Sequence, residues 1–214
     1  MNGWSWSLNW GEIGPGILVG SCPMVPDDLG RITEAERISA ILSVQHDDCL
    51  AYWEIDERRM RARGERLGLQ MSRTPMRDFD IADQQQHLPR AVAALAGLRA
   101  RGHRVYVHCT AGLGRAPLTV LGYLSWIEGC TPEEAIRVIL SARPGAVPAW
   151  EAYRGSHQAL VDEHWHAIEC RAYTLYESRQ GAPGDADSDW RQAEVEVIRS
   201  LLMGMDPDAS ETTA

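Results

Sequence analysis

The chain has 214 residues, a formal net charge of -9, and 44% hydrophobic against 24% charged residues. That length supports one core of ordinary size plus an extension, and that charge disfavours nucleic acid and anionic membrane surfaces as partners. No apolar run approaches the roughly 20 residues of a membrane span, and Met1-Asn2-Gly3-Trp4-Ser5-Trp6 lacks the basic and apolar regions of a signal peptide.

Ile17-Leu18-Val19-Gly20 reads as a first strand, Asp27 to Arg37 as a helix, and Ser39 to Val44 as a second strand. Glu54 to Leu67 is expected to be helical, Leu69 to Pro75 a strand, and Arg77 to Gln86 a polar loop. An alanine- and leucine-rich helix, Leu88 to Arg101, precedes the strand Arg104 to His108. After an apolar helix from Ala116 to Glu128, Thr131-Pro132-Glu133-Glu134 opens another. There Thr131 is the N-cap, Pro132 the first helical residue, and Glu134 completes a capping box. Ala149 to Leu160 continues the helical pattern, so strands and helices alternate as in an α/β layer fold. Beyond residue 160, helices Trp165 to Arg179 and Trp190 to Met203 flank the loop Gln180 to Asp185. Asp206 to Ala214 reads as a disordered polar tail.

The most informative run is His108-Cys109-Thr110-Ala111-Gly112-Leu113-Gly114-Arg115. A cysteine in a glycine-punctuated loop between a strand and a helix N-terminus is placed to bind a phosphoryl group and attack it. Backbone N–H groups of Thr110 to Gly114 can turn inward around the phosphate, and Gly112 and Gly114 supply conformational freedom. The helix N-terminus and Arg115 both favour a thiolate at Cys109. Arg115 can grip two phosphate oxygens with its planar fork. Pro117 suits the first helical turn. His108 is expected to order the loop rather than move protons. Cleavage of a phosphate ester by a cysteine also needs an acid to protonate the departing oxygen. Asp78 and Asp80 in Arg77-Asp78-Phe79-Asp80 are the candidates, with Asp83 more remote. The five cysteines (22, 49, 109, 130 and 170) have no metal-ligand spacing. With an essential thiol among them they point to a reducing cytoplasm. No metal or cofactor is expected.

The HCxxGxxR pattern resembles the cysteine-dependent protein tyrosine phosphatase superfamily, and its dual-specificity branch in particular. The resemblance implies an α/β fold with a central, mainly parallel sheet flanked by helices, here carrying a C-terminal helical extension. It aligns Asp78 with the general acid of the superfamily. A narrower resemblance, over Ile13 to Ala159, is to the plant glucan (starch) phosphatases and more distantly to laforin. It rests on Leu18-Val19-Gly20-Ser21, on Ala51-Tyr52-Trp53 after Gln45-His46-Asp47-Asp48, on Arg77-Asp78-Phe79-Asp80, and on Cys109 through Pro117. It implies phosphorylated α-glucan as the partner, with glucan held by Phe79, Tyr52, Trp53 and, by a looser match, Trp150. Ala116 stands where most of the superfamily has Ser or Thr, and Gly-Arg-Ala-Pro is typical of the plant enzymes. Some plant members carry a second redox-active cysteine where this chain has Ser43, and disulfide control of Cys109 is not expected.

The chemistry agrees. The cradle side chains Thr110, Ala111 and Leu113 are neutral, which suits a substrate whose only charge is the phosphate removed. Sugar rings stack their C–H faces on aromatic planes, and the chain has eight tryptophans and one phenylalanine. Core packing is the ordinary alternative for Trp53 and Trp150. Trp4, Trp6 and Trp10, in an apparently loose N-terminus, either stack sugars or staple that segment to the body. All 21 basic residues are arginine, read as the composition bias of a GC-rich bacterial genome. The run Glu57 to Arg66 is a basic patch, read as a solvated helix face.

The expected organisation is a Trp-rich segment 1–16, a catalytic domain 17–160, a helical hairpin 161–205 and a tail 206–214. The hairpin resembles a small bacterial module of unknown function and is expected to close on Tyr173, Tyr176, Trp190 and Ile198. It would dock on the catalytic domain, a second copy of the chain in a homodimer, or a glucan chain. The leading reading is a phosphoglucan phosphatase working through a phosphocysteine. The alternatives are a dual-specificity or tyrosine protein phosphatase, and a phosphoglucan-binding scaffold with weak catalysis.

Overall fold

The computed structural model describes residues 6–179 and 184–205. Trp4, the residues of the Gln180–Asp185 loop up to Pro183, and the tail from Asp206 lie outside the described residues. Five strands form one sheet in the order β1-β2-β5-β3-β4. They are β1 (Trp10–Gly14), β2 (Ile17–Gly20), β3 (Ala40–Gln45), β4 (Gln70–Met76) and β5 (Val105–His108). The last four run parallel, and β1 pairs antiparallel with β2.

Alternation along the strands sorts side chains to two faces. Leu18, Ile41 and Tyr106 pack with Leu29, Ile32 and Met60 of α1 (Pro26–Glu36) and α3 (Glu57–Arg66). Ile17, Val19, Ala40, Leu42, Val105 and Val107 face the larger core on the other side. That core is closed by α4 (Ile81–Ala100), α5 (Arg115–Gly122), a π-helical turn (Tyr123–Ile127), α6 (Pro132–Ala142), α7 (Trp150–Ser178) and α8 (Ala186–Gly204). A short helix α2 (Asp47–Tyr52) bridges β3 and α3. No helix among the described residues is long and apolar enough to cross a membrane.

Several expectations need correction. The N-terminus is not loose: residues 10–14 form β1, so the sheet begins inside the segment 1–16. Trp6 Nε1 donates to the Cys22 carbonyl (3.1 Å) and Trp10 Nε1 to Glu36 (2.8 Å), while the Trp10 ring lies edge-on to Tyr106. Both therefore staple the segment to the body. The polar stretch expected as loop to Gln86 is helical from Ile81, because Asp80 caps it by accepting from the Asp83 N–H (3.0 Å). Pro89 lies inside that helix. The helix expected from Glu54 begins at Glu57, capped by Asp56. The helix expected from Ala116 to Glu128 widens into a π-helical turn at Tyr123, with Tyr123 and Trp126 buried there. The capping box at Thr131 and Glu134 forms as expected.

The two helices expected either side of residue 160 are one, α7, bent at His164 (φ -115°, ψ 16°). The expected division between catalytic domain and hairpin therefore falls within a helix. The hairpin docks on its own body, where α8 packs on α7, α4 and the π-helical turn. Ile168, Ala193, Ile198 and Leu202 are 0–1% exposed and belong to the same cluster as the sheet residues. Trp190 is partly buried against it, but Tyr173 (60% exposed) and Tyr176 (61%) stay outside. Ile168, Ala172 and Leu175 take the positions the tyrosines were expected to fill, because they lie on the buried side of α7.

One core implies one cooperative unit. Ile198→Ala, a cavity in the hairpin, is expected to lower the stability of the whole chain by about 2–5 kcal/mol in a single transition. A separate early transition confined to the hairpin, seen by calorimetry, would contradict this.

Candidate active site

The central strand β5 ends at His108, and the loop Cys109 to Gly114 delivers the chain to α5. Every carbonyl from Cys109 to Leu113 has a partner outside the loop's concavity. His108 Nδ1 meets that of Cys109 (3.1 Å), and the Cys22 N–H donates to that of Thr110 (2.9 Å). Arg143 takes the next two, Nη2 to Ala111 (3.1 Å) and Nε to Gly112 (3.2 Å), and the Val147 N–H takes Leu113 (2.7 Å). In a trans peptide the C=O and the following N–H point in opposite directions. Anchoring five carbonyls outward therefore aims the N–H groups of residues 110 to 114 inward, as a cradle for an anion.

Gly112 has φ +70°, and a Cβ there would lie 2.3 Å from the Gly20 carbonyl, so only glycine fits. Gly114, also expected to need that freedom, has φ -108°, and a Cβ there would meet only a contact at 4.0 Å. The conformational argument holds for Gly112 alone.

Cys109 is 3% exposed at the base of this loop. Burial pushes the pKa of His108 down to about 4, so its ring is neutral at pH 7. Since a carbonyl only accepts, the Nδ1 facing Cys109 carries the hydrogen. His108 thus orders the loop, as expected. Burial foremost, and then the neighbouring Cys109, push Cys22 up to about 12, which keeps it a thiol behind the cradle.

Arg115 opens α5 and is 1% exposed. Its Nη1 donates to the Met76 carbonyl (2.9 Å) and contacts Cys49 Sγ (3.4 Å). Its Nη2 donates to Thr110 Oγ1 (3.2 Å) and Asp78 Oδ2 (2.7 Å). Its Nε is buried without a partner among the described residues. That orphaned donor, beside Nη2, is one side of a guanidinium fork that a phosphoryl oxygen would satisfy.

The three acid candidates separate by geometry. Asp78 reaches Arg115, whereas Asp80 is the N-cap of α4, and Asp83 accepts from the Arg77 N–H (2.6 Å) and pairs with His87 (3.5 Å). Asp80 and Asp83 therefore build the turn, and Asp78 is the carboxylate delivered to the cradle.

The aromatic candidates lie on the elements that touch Arg115. Tyr52 (78% exposed) and Trp53 end α2, with rings edge-to-face at 5.2 Å. Phe79 is 93% exposed, with φ +57°, a conformation a bulky side chain rarely adopts. Arg77 Nη1 pairs with Asp48 Oδ2 (3.1 Å), which ties α2, the helix that ends in Tyr52 and Trp53, to the Asp78–Phe79 loop. Trp150 differs. It follows the segment that bonds Leu113, but it is partly buried on the core and edge-on to Tyr153 at 5.8 Å. Core packing accounts for it.

Sequence reasoning missed Arg143, Gln45 and Cys49. Arg143 is 7% exposed and clamps two loop carbonyls, while its Nη1 donates to Asn9 Oδ1 (2.7 Å). Gln45 Nε2 donates to Thr110 Oγ1 (3.1 Å). An arginine just before Pro144-Gly145 was the one available signal, and nothing local marked it as buried. Arg143→Ala is expected to lower kcat by about 10–100-fold on every substrate alike, because the cradle loses its shape. Arg143→Lys should recover little, since an ammonium does not reproduce the three-way fork. Steady-state kinetics with an aryl phosphate would check this, and wild-type kcat in either variant would sink the clamp.

Residues 31–154 match the family model for the catalytic domain of dual specificity phosphatases, and residues 162–197 match a family of unknown function, DUF2934. The amyloplastic phosphoglucan phosphatase DSP4 of Castanea sativa is 34% identical over 173 residues, covering 76% of this chain and 46% of that protein. Mouse (Mus musculus) laforin is 29% identical over 148 residues, covering 64% and 45%. The chain thus spans less than half the length of these relatives. Among solved structures, PTPMT1 superposes with a TM-score of 0.56 at 21% identity, covering 69% of this chain and 90% of that one, which shows the shared fold. The loop, its arginine and the family match together make this chain a member of the dual specificity phosphatase family, a cysteine-dependent phosphatase.

Proposed function

We propose that the enzyme removes phosphate from glucosyl units of a starch- or glycogen-like polysaccharide. The observation that carries this reading is where the exposed aromatic residues sit. A cradle with neutral side chains shares Arg115 with α2 and the Asp78 loop, and these two elements, joined by the Arg77–Asp48 pair, carry Tyr52, Trp53 and Phe79. Flat apolar rings beside a single-phosphate cradle suit a neutral sugar chain better than a polyanionic headgroup. The similarity to phosphoglucan phosphatases and laforin supports the same reading.

In this reading the Cys109 thiolate attacks phosphorus, forming a P–S bond as the bond to the sugar oxygen breaks. Inward N–H groups and Arg115 bind the equatorial oxygens, whose charge the transition state redistributes. The phosphoryl group takes Arg115 Nη2 from Asp78, which frees that carboxyl to deliver a proton to the departing sugar oxygen. Asp78 then accepts a proton from the water that hydrolyses the phosphocysteine. Ala116 has no hydroxyl to offer the thiolate, so breakdown of the intermediate relies on Asp78 and the cradle. The five free cysteines support a reducing compartment such as the cytoplasm.

Phosphate release from phosphorylated amylopectin, run beside a phosphotyrosine peptide and an aryl phosphate, tests the reading. Strong release from amylopectin is expected, with Cys109→Ser inactive on all three. Release from the peptide alone would replace glucan with protein as the substrate. Phe79→Ala is expected to cut kcat/KM on amylopectin at least tenfold while changing aryl phosphate hydrolysis less than twofold. Equal losses on both would remove the stacking role.

A further inference from the structure

We propose that the outer face of α7 beyond its bend is a second α-glucan-binding surface, built on Trp165, Tyr173 and Tyr176 and separate from the catalytic opening. The inference rests on the glucan reading of the active site.

Among the residues following His164 in α7, the exposed large apolar side chains are these three, and all are aromatic (Trp165 52% exposed, Tyr173 60%, Tyr176 61%). At 100° per residue they fall along one flank of the helix, beside the buried stripe of Ile168, Ala172 and Leu175. That stripe already closes the hairpin, so packing leaves about half or more of each ring exposed. Eleven residues separate Trp165 from Tyr176, about 16 Å along the axis, the length of a short run of glucosyl units.

The rings are held in place. Trp165 lies on Trp190 with centroids 4.5 Å apart, and Trp190 is itself partly buried against the core. The Arg179 guanidinium sits 5.7 Å from the Tyr176 ring centroid and is anchored by the buried Asp189. Tyr173 stands 6.2 Å from Tyr176. Pre-set aromatic planes with carboxylate and phenol groups between them match a polymer that has apolar C–H faces and many hydroxyls.

Charge and area argue against other occupants. Glu169 and Glu177 lie among the rings of a chain with net charge -9, which disfavours nucleic acid and anionic lipid. Three half-exposed side chains fall well short of the roughly 800 Å² per partner of a stable protein interface, so a second copy is not favoured. The surface lies within the segment matched to the family of unknown function. Fifteen residues of α7, about 22 Å, separate Trp165 from Trp150, so a long glucan could be tethered here while its phosphate enters the cradle.

The test is co-sedimentation of the full chain with unphosphorylated amylopectin, comparing wild type, the Trp165→Ala/Tyr173→Ala/Tyr176→Ala triple variant, and Phe79→Ala. The triple variant is expected to bind at least fivefold more weakly and to raise KM for phosphorylated amylopectin by a similar factor. Its kcat and its aryl phosphate hydrolysis, which also report correct folding, should not change. Wild-type amylopectin affinity in the triple variant would overturn the surface and leave the catalytic reading standing. A concentration-dependent dimer abolished in the triple variant would overturn it too, giving the face to a second copy. Binding lost in the triple variant, from an enzyme that releases no phosphate from amylopectin, would keep the surface and refute the substrate reading.

Discussion

The site depends on one buried cation. The Arg115 guanidinium, at 1% exposure, joins β4 through the Met76 carbonyl, the cradle through Thr110, the loop before α4 through Asp78, and α2 through Cys49. A charge this far from water is stable only where acceptors surround it. Apart from Thr110 in the loop itself, these partners lie 37 to 66 residues away along the chain. Folding is what gathers them. Once gathered, they hold the Cys109 loop, Asp78 and α2 on one cation.

The second constraint acts from the opposite side. Five loop carbonyls pull outward on His108, Cys22, Arg143 and Val147. The cradle is thus shaped by what its carbonyls bind behind it, with N–H groups presented inward as a consequence of peptide planarity. Pre-orientation of this kind spares the enzyme reorganisation during reaction. Neutral His108 contributes a hydrogen bond and no competing charge beside Cys109.

The extension is continuous with the catalytic body. Helix α7 begins beside the phosphate loop and ends in the hairpin, and α8 folds back onto α4 and the π-helical turn. Ile168, Ala172 and Leu175 with Ala193, Ile198 and Leu202 close this contact, and Trp190 packs at its edge against Trp165. Beyond the bend at His164, aliphatic residues of α7 face the core while Trp165, Tyr173 and Tyr176 stay at least half exposed.

Much of this was legible in the sequence because the signals are local. The HCxxGxxR spacing, the strand before it, the apolar helix after it and the capping box at Thr131 each lie within a few residues. The parallel strands were readable for the same reason. What only the tertiary structure decided depends on residues far apart. It decided that Asp78 reaches Arg115 while Asp80 caps a helix, although the two are nearly equivalent in sequence. It made a buried clamp of Arg143, 31 and 32 residues from the carbonyls it holds. It also turned a tryptophan-rich N-terminus into an edge strand, and merged two expected helices across residue 160. Local propensity fixes which chemistry a segment can offer, and long-range packing fixes which of several equivalent groups is brought to the reaction.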